Sequence, residues 1–334
     1  MRAGLTLSRA RALVRRFRRV RLAVIGDLVA DEFIYGRLDR VSREAPVLIL
    51  RYDSTEVVPG GAGNAAANAA ALGASVEVLG VVGTDAVGRR LIDALPPGSR
   101  ARNVVRAAGF VTPVKTRILA GGVHSAKQQV VRIDKAGGAI RPAVVRRVER
   151  ALSRALRRVT AVIVSDYGGG LATPALWRHA LAGARLKRPP LALVDSRYAL
   201  AGFTAMTACT PNESEVEALL GIRINDDLAM LERAGRTLLD RLKCRAVLIT
   251  RGSRGMALFE PGRPTDLIPI VGSDEIADVT GAGDTVIATF TLALAAGATF
   301  GEAARLANYA GGLVVMKRGT ATISADELLT ALTR

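Results

Sequence analysis

Short apolar runs alternate along the chain with longer stretches of helical character. RLAVIGD (21–27), SVEVLGVVG (75–83), TAVIVSDY (160–167), LALVDS (191–196) and AVLITRG (246–252) are each β-rich and end in a polar residue or glycine. Helix-length segments lie between them, among them AGNAAANAAALG (62–73), RPAVVRRVERALSRALRR (141–158) and NDDLAMLERAGRTLLDRL (225–242). Continuous apolar runs of strand length are what a strand buried on both faces requires, and crossover helices supply the cover. The pattern predicts an α/β fold with a doubly wound, mostly parallel sheet flanked by helices, and with ligands at the carboxyl ends of the strands. Two runs depart from it. PVLILRYDSTEVV (46–58) and TPVKTRILAGGVHSAKQQVVRID (112–134) read as strands with no helix after them, the second turning near Gly121-Gly122. They predict a small β-sheet lid, built from about 36–58 and 110–134, over a single domain spanning 1–334.

Composition narrows the class. No charge-free run approaches the roughly 18 residues of a membrane span, and the Arg-rich start has no signal-peptide core, so a cytoplasmic protein with no membrane partner is expected. Cys209 and Cys244, with His124 and His179, offer neither a disulfide framework nor a multi-histidine metal site. The 47 basic and 30 acidic residues leave a net charge of +17. Nucleic-acid binders concentrate such charge and interleave aromatics; here aromatics are 4% and the arginines are dispersed over predicted helix surfaces. No nucleic acid is therefore expected as a partner, while a positive field favours small anions such as phosphates. The segment SRARALVRRFRRVRL reads as an amphipathic helix beside the first strand.

The glycine motifs carry the chemistry. No G-x-x-x-x-G-K-[ST] is present, and Gly61-Ala62-Gly63 does not close the first strand as a dinucleotide fingerprint must. DVTGAGDTV (278–286) differs, because an apolar helix follows it. Gly281, Ala282 and Gly283 then sit at a helix amino terminus, where free N–H groups and the dipole draw an anion. Asp284 stands in the first turn, placed to take the proton of a hydroxyl attacking a bound phosphate. The same aspartate equally fits an ordinary N-cap role. In TPNESE (210–215), Asn212 and Glu215 lie one turn apart and suit Mg²⁺, or equally a capping box. TRGSRG (250–255) ends a strand with glycine and hydroxyl groups, and Asn308 precedes small residues on a helix.

With Gly60-Gly61 and Asn64, then TPNESE, TRGSRG and DVTGAGD in this order, residues 20–334 resemble the ribokinase-like (PfkB) family of carbohydrate kinases. The resemblance implies a ribokinase-like fold, an anion hole at Gly281, Ala282 and Gly283, and Asp284 as catalytic base. It implies ATP against Asn212, Thr250, Gly252, Gly255 and Asn308, with Mg²⁺ held by Asn212 and Glu215 through water. Asp278 and Thr280 match positions that bind K⁺ in many members. GDLVADEFIYG (26–36), VSREAPVLIL (41–50) and KQQVVRID (127–134) look like the branch that phosphorylates the anomeric hydroxyl of D-glycero-D-manno-heptose 7-phosphate. By that resemblance Asp27, Asp31, Gly60, Gly61, Asn64, Gln129, Arg132, Asp166 and Arg197 line the sugar-phosphate pocket.

The sequence also departs from that branch. Gly169 stands where it has lysine, Asp195-Ser196-Arg197 where it has Asp-Pro-Lys, and Lys127 where it has asparagine. The acceptor stays open between heptose 7-phosphate and ribose, fructose or fructose 6-phosphate, and a non-catalytic sensor of nucleotides or sugar phosphates is the remaining alternative. The resemblance further implies a homodimer paired through lid strands. The chain ends soon after the helix that closes such a kinase, so no C-terminal nucleotidyltransferase domain is expected.

Overall fold

A computed structural model describes residues 5–121, 127–271, 278–317 and 319–333. Its strands in chain order are β1 (Arg21–Gly26), β2 (Leu28–Val41), β3 (Leu48–Gly61), β4 (Ser75–Gly83), β5 (Ser99–Ala107), β6 (Val114–Gly121) and β7 (Gln128–Lys135). Then follow β8 (Ala161–Asp166), β9 (Leu191–Ser196), β10 (Ala208–Cys209), β11 (Ala246–Thr250), β12 (Met256–Phe259) and β13 (Asp266–Ile268). The large sheet has the order β13-β12-β11-β10-β9-β8-β1-β4-β5 and is parallel from β11 to β5, with β12 and β13 antiparallel at one edge. Its first strand shows why the run is apolar throughout. Leu22 and Val24 enter one core beside the helices Ala62–Ala71, Ala282–Ala295 and Phe300–Val314; Ala23 and Ile25 enter a second beside Pro142–Leu156, Pro174–Ala184 and Leu228–Leu242.

The amphipathic helix anticipated at the amino end forms over Leu7–Arg16, with Ala10, Leu13 and Val14 buried and Thr6 capping it through the Arg9 N–H. The second sheet, ordered β3-β2-β6-β7, pairs β2 with β3 and β6 with β7 antiparallel, and β2 with β6 parallel. Gly122 and His124 of the anticipated hairpin turn lie outside the described residues. The sequence pattern misses the first half of β2, because Asp31 and Glu32 interrupt its apolar run. Both are partnered across to β6: Arg117 donates to Asp31 Oδ1 at 2.7 Å and Thr116 to Glu32 at 2.8 Å, which is what lets these acids sit in a half-buried strand. Opposed residues of paired strands point to one face, so the register Asp31↔Lys115↔Asp134 and Arg117↔Arg132 gathers these charged groups on a single side of the small sheet.

Candidate active site

A cavity of about 230 Å³ opens at the carboxyl ends of the parallel strands. Asp166 closes β8, Asp195 and Arg197 flank the end of β9, Thr210 and Asn212 follow β10, and Thr250 closes β11; all of them line it with Tyr167, Glu215, Gly281, Gly283 and Asp284. The fold thus brings Asp166, Arg197, Asn212, Glu215, Thr250 and the glycine turn to one place, as the sequence motifs anticipate. Tyr167, Asp195 and Thr210 lie within or beside the anticipated motifs but carry no role assigned from the sequence.

Asp284 sits in the first turn of the helix Ala282–Ala295 and is 3% exposed. Asn64 donates to its Oδ2 at 2.8 Å, and the Tyr167 hydroxyl to its Oδ1 at 2.9 Å. Burial raises its pKa from 3.8 to about 6, against the two hydrogen bonds, which lower it; Asp31 pushes it up and Arg197 down. The result is a carboxylate whose proton affinity lies near neutral pH, where a general base works well. Gly281 takes a positive φ of 78° ahead of the helix, and a side chain there would collide with the Asn64 amide. At Gly283 a Cβ would meet open space, so the backbone is bare toward the cavity. The N–H groups of Gly283 and Asp284 have no backbone partner among the described residues, whereas that of Ala282 makes a long 3.3 Å bond to Val279 O.

Asn212 and Glu215 make a capping box: the Glu215 N–H donates to Asn212 Oδ1 at 2.8 Å, and the Asn212 N–H to Glu215 Oε2 at 2.9 Å. Both side chains still face the cavity. Burial raises the pKa of Glu215. Asp195 is pushed well above the ordinary carboxylate range, by desolvation first and then by repulsion from Glu215 and Asp284. Carboxylates crowded in this way are relieved by a divalent cation. Among the described residues no three His, Cys, Asp or Glu converge on one point, so an ion here would be held partly through water, as Mg²⁺ prefers. The buried Thr210 Oγ1, in the cavity wall, has no hydrogen-bond partner among the described residues and is free for a ligand oxygen.

Other anticipated residues are placed differently. The Asp27 carboxylate accepts the N–H groups of Tyr167 at 2.9 Å, Gly169 at 2.8 Å and Leu171 at 3.4 Å, and so fixes the 167–171 loop. A side chain on Gly169 would press on Asp27 at 2.7 Å, which gives a steric reason for glycine at this position. Asp166 accepts from Ser196 Oγ at 2.6 Å and from the Gly168 N–H. Asp31 holds Arg117 and accepts from Thr320 Oγ1 at 3.0 Å, and Gly60 lets its carboxylate approach the backbone. Gln129 and Arg132 are on exposed β7, with Arg132 paired to Asp134 at 2.7 Å. Asp278 accepts from the N–H groups of Thr280 at 2.9 Å and Gly319 at 3.1 Å. Gly252 and Gly255 shape a turn with positive φ. Asn308, 3% exposed, donates to Pro269 O at 2.8 Å and borders a second cavity, about 460 Å³, with Tyr309, Ile270 and Val271.

One cation beside the anticipated Arg197, Lys115, escapes motif reading altogether. Lys115 Nζ lies 5.3 Å from the centre of the Tyr167 ring, and the Arg197 guanidinium lies 4.6 Å from it. Lys115 belongs to the small sheet and Arg197 to the large one, so Tyr167 joins the two at the cavity mouth. No carboxylate lies within salt-bridge distance of Lys115 among the described residues; desolvation lowers its pKa and Arg197 and Arg132 lower it further, while Asp31 and Asp134 raise it in part.

The architecture is shared with solved kinases. Arabidopsis thaliana ribokinase complexed with ribose and ATP matches with a TM-score of 0.72 at 19% identity, over 94% of this chain and 99% of that one. Escherichia coli phosphofructokinase-2 in complex with potassium matches with a TM-score of 0.74 at 20% identity, over 94% and 100%. At these identities the likeness establishes the ribokinase-like fold. The pfkB family carbohydrate kinase profile matches residues 21–98 and 192–327. The chain is also 40% identical over 311 residues to the bifunctional protein HldE of Geobacter sulfurreducens, and 38% identical over 318 residues to that of Methylococcus capsulatus. These alignments take in 92% and 95% of this chain but 62% and 64% of the relatives, so the chain spans under two thirds of their length. The chain belongs to the pfkB family of carbohydrate kinases.

Proposed function

We propose that the chain is an ATP-dependent kinase of a phosphorylated sugar, with the anomeric hydroxyl of D-glycero-D-manno-heptose 7-phosphate as acceptor and the 1,7-bisphosphate as product. The carrying observation is Asp284, buried at a helix amino end with a pKa of about 6, beside unpartnered backbone N–H groups and a crowded carboxylate pair. Asp284 takes the proton of the acceptor hydroxyl, whose oxygen bonds to the γ-phosphorus of ATP while ADP leaves. The N–H groups at Gly283 and Asp284 hold the charge on the transferred group. Mg²⁺, held by Glu215 and Asn212 with Asp195 nearby, would neutralise phosphate charge. Thr250 and Thr210 face the phosphates, and the second cavity at Asn308 suits the adenine. Asp278 and Thr280 would hold K⁺.

Lys115, Arg197 and Arg132 support a phosphorylated acceptor. Lys115 in particular is a half-buried cation that makes no salt bridge among the described residues, flanked by Asp31 and Asp134 on its own sheet face and one tyrosine ring away from the base. The branch motifs at 26–36, 41–50 and 127–134 support heptose 7-phosphate as that acceptor. The small sheet would close over the cavity as a lid and exclude water. Its exposed Leu38, Val41, Leu48 and Ile133 support pairing with a second copy.

ADP release is measured with heptose 7-phosphate, fructose 6-phosphate, fructose and ribose, beside Asp284→Asn as blank. The reading expects preference for heptose 7-phosphate, and at least about a 100-fold loss in Asp284→Asn with ATP binding kept. It expects Lys115→Ala to raise KM for phosphorylated acceptors by about tenfold or more, and to leave neutral sugars nearly unchanged. Activity on neutral sugars alone would refute the phosphate site; an active Asp284→Asn would refute the base.

A further inference from the structure

The helix Ala62–Ala71 is made of alanine and glycine except at two positions, Asn64 and Asn68. These are one helical turn apart and share a face. That face meets the first turn of the helix Ala282–Ala295, where Asp284 and Thr285 are neighbours in sequence. A chain of buried hydrogen bonds runs between the two helices. Thr285 Oγ1 donates to Asn68 Oδ1 at 2.9 Å, Asn68 Nδ2 donates to Asn64 Oδ1 at 3.0 Å, and Asn64 Nδ2 donates to Asp284 Oδ2 at 2.8 Å. Asn68 Nδ2 also reaches Asn64 O at 3.1 Å, and Thr285 Oγ1 reaches Gly281 O at 3.3 Å. Asn68 and Thr285 are fully buried, and Asn64 is 1% exposed.

We infer that Thr285 and Asn68 are positioning residues, which together hold the Asn64 amide with its NH₂ group toward Asp284. The direction of the chain carries the inference. An asparagine amide presents a donor on one side and an acceptor on the other, and nothing in its shape selects between them. The Thr285 hydroxyl has one proton and two acceptors in reach, Asn68 Oδ1 at 2.9 Å and the Gly281 carbonyl at 3.3 Å, and the shorter contact, to Asn68, takes it. Its proton then selects the oxygen of Asn68, Asn68 must turn its NH₂ to Asn64, and Asn64 must turn its own NH₂ to the carboxylate. Without the first donor, Asn68 Oδ1 is left unpaired and only the Asn64 and Gly281 backbone carbonyls, at 3.1 and 3.4 Å, still hold the two NH₂ groups, so both amides rotate more readily. An Asn64 oxygen would then face an Asp284 oxygen, two acceptors in contact, and the carboxylate would lose a bond that steadies its charged form.

Neither residue can reach the acceptor sugar, since both are sealed beneath the turn. Their effect must pass through Asn64 to Asp284. The groups that otherwise face Asp284 are Tyr167 from the end of β8, Asp195 and Arg197 from β9, and Asp31 from β2. None of them touches the Thr285–Asn68 pair through a hydrogen bond among the described residues, so the pair can be altered without moving those charges.

The inference rests on Asp284 as the proposed base, and the test separates the two. The titration of the Asp284 carboxyl is followed in the resting full chain by ¹³C NMR with labelled aspartate, the signal being assigned by its loss in Asp284→Asn. Thr285→Val should raise the Asp284 midpoint by about half a pH unit or more, and Asn68→Ala by at least as much. Thr285→Ser, which keeps the donor, should recover the midpoint that Thr285→Val loses. In the kinase assay, Thr285→Val should lower kcat about twofold or more at about pH 6, with KM for ATP held and the gap closing above about pH 8. Should Asn68→Ala fail to fold, the two Thr285 variants decide the matter alone. An unmoved midpoint in Thr285→Val, or one equally displaced in Thr285→Ser, overturns the relay whatever the activity does. A displaced midpoint in a chain whose Asp284→Asn form stays active would instead keep the relay and refute the base.

Discussion

The Tyr167 hydroxyl donates a 2.9 Å hydrogen bond to Asp284 Oδ1, so both carboxylate oxygens of the proposed base are held before any acceptor arrives. The bond works against burial and keeps the carboxylate pKa down to about 6. Removing it in Tyr167→Phe should let that pKa rise further. A base acts only when deprotonated, so the acid limb of the kcat/KM profile should move upward by about half a unit to one unit. Activity at about pH 6 should fall about two- to fivefold, with the gap closing above about pH 8. A parallel drop at every pH would mean that Tyr167 acts by contact with the acceptor and not through Asp284.

The same burial has a cost in stability. The Asp284 carboxyl has a folded pKa of about 6 against 3.8 for an unperturbed aspartate. Below both values the two states are equally protonated and the group contributes no difference. As pH rises the unfolded chain releases its proton first, so stability falls between about pH 4 and pH 6, by up to about 3 kcal/mol. An amide at this position never ionises. The melting temperature of Asp284→Asn relative to the parent should therefore rise from about pH 4.5 to about pH 7.5, less whatever the amide loses by facing two donors. Thermal melts across that range check the slope; a difference independent of pH would place the carboxyl at its ordinary pKa.

In the large sheet β1, β4, β8, β9 and β11 were legible because they are apolar on both faces, so runs such as LALVDS could belong to little else, whereas β5, with its alternating arginines, and the short β10, β12 and β13 were not. The first half of β2 was not, since Asp31 and Glu32 conceal it and their partners Arg117 and Thr116 lie far along the chain. In the site, the glycine turn announced a helix amino end and with it Asp284. Asn212 and Glu215 matched two roles in sequence, and the fold lets them hold both, capping a helix while facing the cavity. Lys115 and Tyr167 carry no local signature. Their meaning comes from two sheets meeting, and no spacing along a chain records that.

Gly281 tests how closely this assembly is fitted. Its φ of 78° is in the left-handed region, and its missing side chain leaves room for the Asn64 amide. Gly281→Ala adds two penalties. The backbone strain costs about 1 kcal/mol, and the methyl group must displace Asn64 from Asp284. The variant should therefore lose about 1–3 kcal/mol of stability in denaturant unfolding. Its kcat should fall more than tenfold, because Asn64 no longer steadies the carboxylate and the turn that presents the Gly283 N–H is distorted. Gly283→Ala separates these effects: a Cβ there meets nothing within 4 Å, so it should fold as well as the parent and lose activity only through the space taken from a bound phosphate. Equal losses of stability in the two variants would show that the turn, and not the Asn64 contact, sets the requirement at Gly281.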